Sequence, residues 1–177
     1  MTWRRALAYW LCCLALVGYY RAVDRRPAAE AVHVVRAAFL DVGDKGITTL
    51  ELRRGDRVVR CRRVDARWQV TAPAGSVVPA DLIAALVTNI TELPDVDVVA
   101  ESSTDLAQFG LDTPAAEMTL TPESGTPITV RLGSRNPSGT AVYAQRSGSD
   151  RVYLVGLNVL YYADLVFEAV APHGSAS

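Results

Sequence analysis

From Ile47 to Val70, and again from Ala116 to Val155, the chain alternates apolar and polar residues, and between these runs lies one stretch of helical period. That change of period limits the fold more than any other feature. A strand shows alternate residues to one side, whereas a helix gathers every third or fourth residue on one face. In "ITTLELRRGDRVVRCRRVDARWQV" Leu50 pairs with Leu52, Val59 with Cys61 and Trp68 with Val70, and Gly55-Asp56 and Asp65-Ala66 supply the turns of a three-strand meander. "VVPADLIAALVTNITEL" then repeats Leu82, Leu86, Ile90 and Leu93 at helical spacing, with Pro79 and Asp81 at its start and Pro94 after its end.

"VDVVA" reads as a short strand, and "SSTDLAQFG" as one to two helical turns with Ser103 or Thr104 as N-cap and Gly110 as a left-handed terminator. Phe109 and Leu111 then flank the glycine as apolar anchors, and Pro114 launches the next strand. "AEMTLTPESGTPITVRLG" sets Met118 and Leu120 against Ile128, Val130 and Leu132, "TAVYAQRSGSDRVYLV" turns at Gly148, and "GLNVLYYADLVFEAV" predicts a final helix. The expected class is α+β: antiparallel strands with packed helices in two successive strand-then-helix blocks, preceded by one transmembrane helix.

The transmembrane expectation rests on "RRALAYWLCCLALVGYYR". Fifteen uncharged residues separate Arg5 from Arg21, with Trp3, Tyr19 and Tyr20 at the ends. That is short of the roughly 20 residues of a spanning helix, although arginine stems can snorkel and Ala22 and Val23 can extend the run. A cleaved signal peptide is the rival reading, but no small-x-small site follows the apolar run. The expected division is an anchor over 1–26, a linker over 27–37, an exported domain over 38–170 and a flexible tail over 171–177. The amino terminus would be cytoplasmic, making a single-pass protein of the bacterial inner membrane whose domain faces the periplasm or exterior.

Charge is distributed unevenly. Up to Arg67 there are 14 Lys+Arg against 7 Asp+Glu, and from Trp68 onward 4 against 12, inside a chain whose net charge is −1. Lys45 is the single lysine, which leaves little for Schiff-base or phosphate-loop chemistry. His33 falls in the linker and His173 in the tail, so no Ser-His-Asp or Cys-His constellation and no zinc cluster is expected in the domain. Cys12 and Cys13 lie in the apolar run without a lipobox, and Cys61 reads as a buried small hydrophobe. Asp95, Asp97, Glu101 and Asp105 are dense enough for calcium, but the alternation around Val96 and Val98 places the first two on the solvent side of an edge strand. "GSRNPSG" lacks the lysine and following helix of a phosphate cradle and reads as a hairpin loop, and the sequon at Asn89 lies on a helix. No cofactor, metal or catalytic residue is expected.

One stretch stands above this background. Arg53, Arg54, Arg57, Arg60, Arg62, Arg63 and Arg67 fall within fifteen residues of hairpin, and several must share the face opposite Val59 and Cys61. They read either as a solvated edge that blocks unwanted sheet pairing or as a docking face for anionic headgroups or an acidic partner. These seven are the candidate binding residues. Nucleic acid is not expected, since no aromatics interleave them to stack bases.

The series "WQVTAP", "PADLIAALVTNITEL", "FGLDTPAAEMTL", "ITVRLG" and "AVYAQ…RVYLV" resembles an uncharacterised bacterial family, the one numbered forty-three-forty among domains of unknown function, over roughly residues 40 to 168. The resemblance implies an exported domain anchored by one N-terminal helix and related to auxiliary components of ABC transport systems, including those of gliding motility; it brings no catalytic residues. Composition and resemblance together lead to an expected non-enzymatic accessory or interaction domain of an envelope complex, with ABC transporter subunits as candidate partners. The alternative is a small-ligand or glycan-binding domain, which would need an apolar pocket near Trp68, Phe109 and Tyr143.

Overall fold

The computed structural model describes residues 35 to 170, apart from 38, 41, 44, 45, 94 and 95, together with Trp3, Trp10, residues 13–16 and Tyr19; at 35–37 it describes the backbone. In chain order the elements are β1 (Val35–Ala37), β2 (Ile47–Arg54), β3 (Arg57–Val64), β4 (Arg67–Ala72), α1 (Ala80–Thr91), β5 (Val96–Ala100), a 3-10 turn (Ala107–Phe109), β6 (Ala116–Pro122), β7 (Ile128–Arg135), β8 (Ala141–Arg146), β9 (Val152–Gly156) and α2 (Leu157–Val170). All nine strands join one sheet in the order β1-β5-β9-β8-β7-β6-β2-β3-β4, and every neighbouring pair is antiparallel.

The alternation in the sequence fixes which residues face the core. Leu50 lies between Cys61 and Leu120, and Leu52 between Val59 and Met118; Met118 and Ala116 in turn meet Val130 and Leu132. All of these are buried. Each large apolar side chain removed from water in this way contributes about 1.5–3 kcal/mol. Asp65 and Ala66 turn β3 into β4 with φ of 48° and 64°, the paired left-handed geometry that matches the twist of a two-residue hairpin.

Helix α1 buries Ile83, Leu86, Val87, Ile90 and Thr91, while Leu82 and Leu93 pack half-buried at the margin. The stripe is therefore centred one residue later than Leu82-Leu86-Ile90-Leu93 implies, because both flanks of a broad apolar face are in use. α1 packs on α2 and reaches β4, whereas α2 reaches β8. Strands at about 4.8 Å spacing make this sheet roughly 38 Å wide, while two helices cover about 20 Å. Trp68 near one edge and Val96 and Val98 near the other nevertheless belong to the same core as the helices. The sheet must curl around the helix pair. Phe39, fully buried, plugs this core after β1: its ring meets Tyr153 edge-on at 5.1 Å, and its carbonyl accepts a hydrogen bond from Arg146.

The two strand-then-helix blocks follow one another along the chain, and β2 pairs with β6 to merge both meanders into one sheet. One expectation about architecture is corrected. The transmembrane helix is not found: among the described residues no helix is long and apolar enough to cross a membrane, in keeping with an uncharged run shorter than a span requires. In the N-terminal unit, Met1–Val34, the described residues are helical and exposed. Most of the expected anchor, the linker up to residue 34, the tail, His33, Lys45, Asp95 and His173 lie outside the described residues. β1 shows that the sheet begins at Val35, inside the segment expected to be linker.

Candidate functional site

The helices cover one face of the sheet, and two different surfaces make up the other. Over β7 to β9 the connection between β5 and β6 lies across the strands. Leu111 and Val152 are buried there but stand outside the main core cluster, and the Phe109 and Tyr143 rings meet at 5.0 Å. "FGLDTP" is thus a docked joint. The Gly110 N–H donates to the Ala107 carbonyl and the Leu111 N–H to that of Leu106, a Schellman ending whose left-handed residue is Gly110 at φ 66°. No side chain caps the start of this turn; Ser103 donates instead to the Asp105 carbonyl.

Over β6, β2, β3 and β4 the second face is open to solvent. Its polar residues form cross-strand rows: Thr129, Thr119, Glu51 and Arg60; Arg131, Glu117 and Arg53; Thr121, Thr49 and Arg62. The Arg60 Nε lies 2.8 Å and the Arg53 Nη2 3.3 Å from Glu51. The hydrogen bond from Arg60 is the main reason that the Glu51 carboxyl titrates below its ordinary 4.5. Arg131 approaches Glu117 at 3.6 Å.

The seven hairpin arginines therefore do not form one stripe. Register places Arg53, Arg60, Arg62 and Arg67 on the open face, and Arg54, Arg57 and Arg63 on the helix side. Arg54 donates to the Ala115 carbonyl and to Asp164, and its guanidinium lies 4.6 Å from the centre of the Phe167 ring. Arg57 approaches the same ring at 5.4 Å. These two hold α2 against the sheet. Arg62 and Arg67 are exposed, and among the described residues neither meets a carboxylate.

Other candidates fall into place differently. Trp68 faces the helices, while Phe109 and Tyr143 lie on the opposite side of the sheet, so the three do not line one pocket. A polar cavity of about 600 Å³ does open where the joint meets the open face, lined by Leu106, Glu117, Arg131, Gln145, Ser149 and Asp150 among others. Asp97 lies on β5, which β1 flanks, so it is not on an edge strand. No three His, Cys, Asp or Glu side chains among the described residues come together to hold a metal. Of the expected 133–139 loop, Gly133 to Arg135 belong to β7, and Asn136 organises the turn that follows by accepting the N–H groups of Thr140 and Ala141. Burial pushes the Cys61 thiol up to about 12. Sequence reading missed Glu51 as the partner of Arg53 and Arg60, and Glu117 with Arg131 as the ion pair in the neighbouring row, although their alternation with the core residues of β2, β6 and β7 carried the signal.

No curated protein and no solved structure matches the chain. A family model described as "Domain of unknown function (DUF4340)" matches residues 68–171. The match is shorter at its start than the resemblance over 40 to 168, and it leaves β1 to β3 and all seven hairpin arginines outside. Since it spans more than half of the sequence, the chain belongs to the DUF4340 family of domains of unknown function.

Proposed function

We propose that the protein is a non-enzymatic accessory or interaction module of a bacterial envelope complex, located at the envelope with its domain outside the cytoplasm, and that subunits of an ABC transport system are the partner class to test first. The observation that carries the reading is the open face of β2 to β4, where Arg62 and Arg67 are exposed and meet no carboxylate among the described residues. A surface of this kind selects and steers a partner of opposite charge. Mild crosslinking of the full-length chain in intact cells, followed by identification of what is captured, tests it. The control changes Arg53, Arg60, Arg62 and Arg67 to serine and spares Arg54 and Arg57, whose contacts hold α2. Envelope subunits captured by the native chain and lost by the variant support the proposal; an unchanged set of captured proteins refutes it. The second reading, binding of a small polar ligand or glycan, has the 600 Å³ cavity in its favour and is tested by thermal shift against a sugar panel with Gln145→Ala and Asp150→Ala as controls.

A further inference from the structure

The basic hairpin ends in a sheet edge whose features point to one kind of occupant. Among the described residues β4 is the last strand of the sheet, and alternate N–H and C=O groups along it have no strand partner there on their outer side. Its pairing with β3 stops at Arg60 and Ala72, leaving Arg57, Val58 and Val59 of β3 beyond its reach. Just there lies an apolar groove of about 470 Å³, formed by Val58, Val59, Pro73, Phe167 and Val170, with Asp56 and Arg57 also lining it. Residues 56–72 carry five arginines against Asp56 and Asp65, a net +3 within a chain of net −1. The opposite edge, β1, is only 3 residues long.

Building on the docking reading above, we propose that this edge receives an extended, acidic segment of a partner protein as a tenth strand, with a large apolar side chain of that segment seated in the groove. A strand laid beside β4 runs about 4.8 Å from it, within reach of Arg67 directly and of Arg62 diagonally, so carboxylates at alternate positions meet both guanidiniums. Backbone pairing supplies the affinity of such strand addition, and the side-chain pattern supplies the selectivity. The same arginines favour an acidic strand over a second copy of this chain, because pairing two β4 edges would join two positive faces, whereas an acidic strand neutralises one.

The probe is a fluorophore-tagged peptide of about eight residues, a usual strand length, alternating glutamate and threonine with a phenylalanine at each end, titrated with the full-length protein and read by anisotropy. Saturable binding is expected, and it weakens about tenfold or more, or about 1.4 kcal/mol, in each of four comparisons: lysine for glutamate, alanine for phenylalanine, N-methylated amides, and the Arg62→Ser/Arg67→Ser protein. The N-methylated peptide keeps the charge and loses the amide donors, so the protein's folding does not enter that comparison. Equal affinity of the N-methylated and parent peptides overturns strand addition while leaving a charge-driven docking face in place. Equal affinity after loss of the phenylalanines overturns the role of the groove. Absence of binding, with envelope partners still captured through the four arginines, overturns this inference alone; undiminished binding to the arginine variant overturns it and the arginine face as well.

Discussion

Gly133→Ala tests whether the joint at Phe109–Pro114 is held by close approach to the sheet. A Cβ built on Gly133 stands 2.2 Å from the Phe109 carbonyl oxygen and 3.1 Å from Leu111 Cγ. The first distance is about an ångström inside van der Waals contact, and the atom that must move belongs to backbone. The φ of Gly133 is not left-handed, so an alanine there costs nothing in backbone strain and would gain about 0.4–1 kcal/mol from a stiffer unfolded chain were the space free. Retreat of the joint instead breaks the 3.0 Å hydrogen bond from Ser134 to the Phe109 carbonyl, worth about 1 kcal/mol. It also draws Leu111, 1% exposed, partway into water, at up to about 2 kcal/mol. With about 1–3 kcal/mol for overpacking, the loss comes to about 3–5 kcal/mol. For a domain of this size that lowers Tm by about 10–20 °C. Thermal and urea unfolding of Gly133→Ala beside Gly43→Ala, whose added Cβ meets nothing within 4 Å, is the assay. A Gly133→Ala transition within about 2 °C of the native one would refute the reasoning, since the joint would then be yielding without cost.

Arg54→Ala is expected to destabilise the domain by about 2 kcal/mol, having lost hydrogen bonds to Ala115 and Asp164 and its contact with Phe167, whereas Arg62→Ala stays within about 0.5 kcal/mol; equal effects in urea unfolding would contradict the division of the hairpin. Glu51 has a lowered folded-state pKa, so its contribution is present above the ordinary 4.5 and lost as pH falls through the folded value: the stability difference between the native chain and Glu51→Gln, at most about 1 kcal/mol for so exposed a pair, should be present near pH 7 and disappear on acidification once the folded-state carboxylate is protonated. Iodoacetamide at mild alkaline pH should label exposed Cys13 and spare Cys61, whose thiol is buried and raised to about 12, with both labelled in denaturant; native labelling of Cys61 by mass spectrometry would show that the core opens there. Residues 68–170 expressed alone should fail to give a cooperative unfolding transition, because the sheet neighbour of β4 and one neighbour of β6 are both removed.

Local structure was legible because alternation and turn chemistry act over a few residues. Leu50 with Leu52, Val59 with Cys61, and the turns at Gly55-Asp56 and Asp65-Ala66 follow from period and punctuation alone. Gly110 was readable as a left-handed helix end because apolar anchors flank it. The reason Gly133 must be a glycine was not readable, since the atom it accommodates belongs to a residue 24 positions earlier. The same limit applied to the arginines. Alternation says that Arg53 and Arg54 point to opposite faces, but only the arrival of α2 beneath β2, with Asp164 and Phe167 presented to Arg54, makes one of them structural. The joining of the two meanders through β2 and β6 is another long-range choice that no local pattern records.

That joining also gives the boundary of the family match a physical meaning. The matched segment starts at Trp68, inside β4, a strand whose sheet neighbour is β3 and whose indole belongs to the common core. β3 attaches through β2, and β2 brings fully buried Ile47, Leu50 and Leu52 to the core beside Met118 and Leu120 of β6. Without β2 and β3, the edge of β6 would be bare and β4 would have nothing to pair with. The segment before Trp68 is therefore part of the folding unit. The basic hairpin within it serves both ends: Arg54 and Arg57 secure α2, while Arg62 and Arg67 face outward beside the edge that β4 leaves open. A change that removes all seven arginines would alter stability and surface charge at once, which is why the two sets have to be varied separately before loss of a partner can be assigned to the surface.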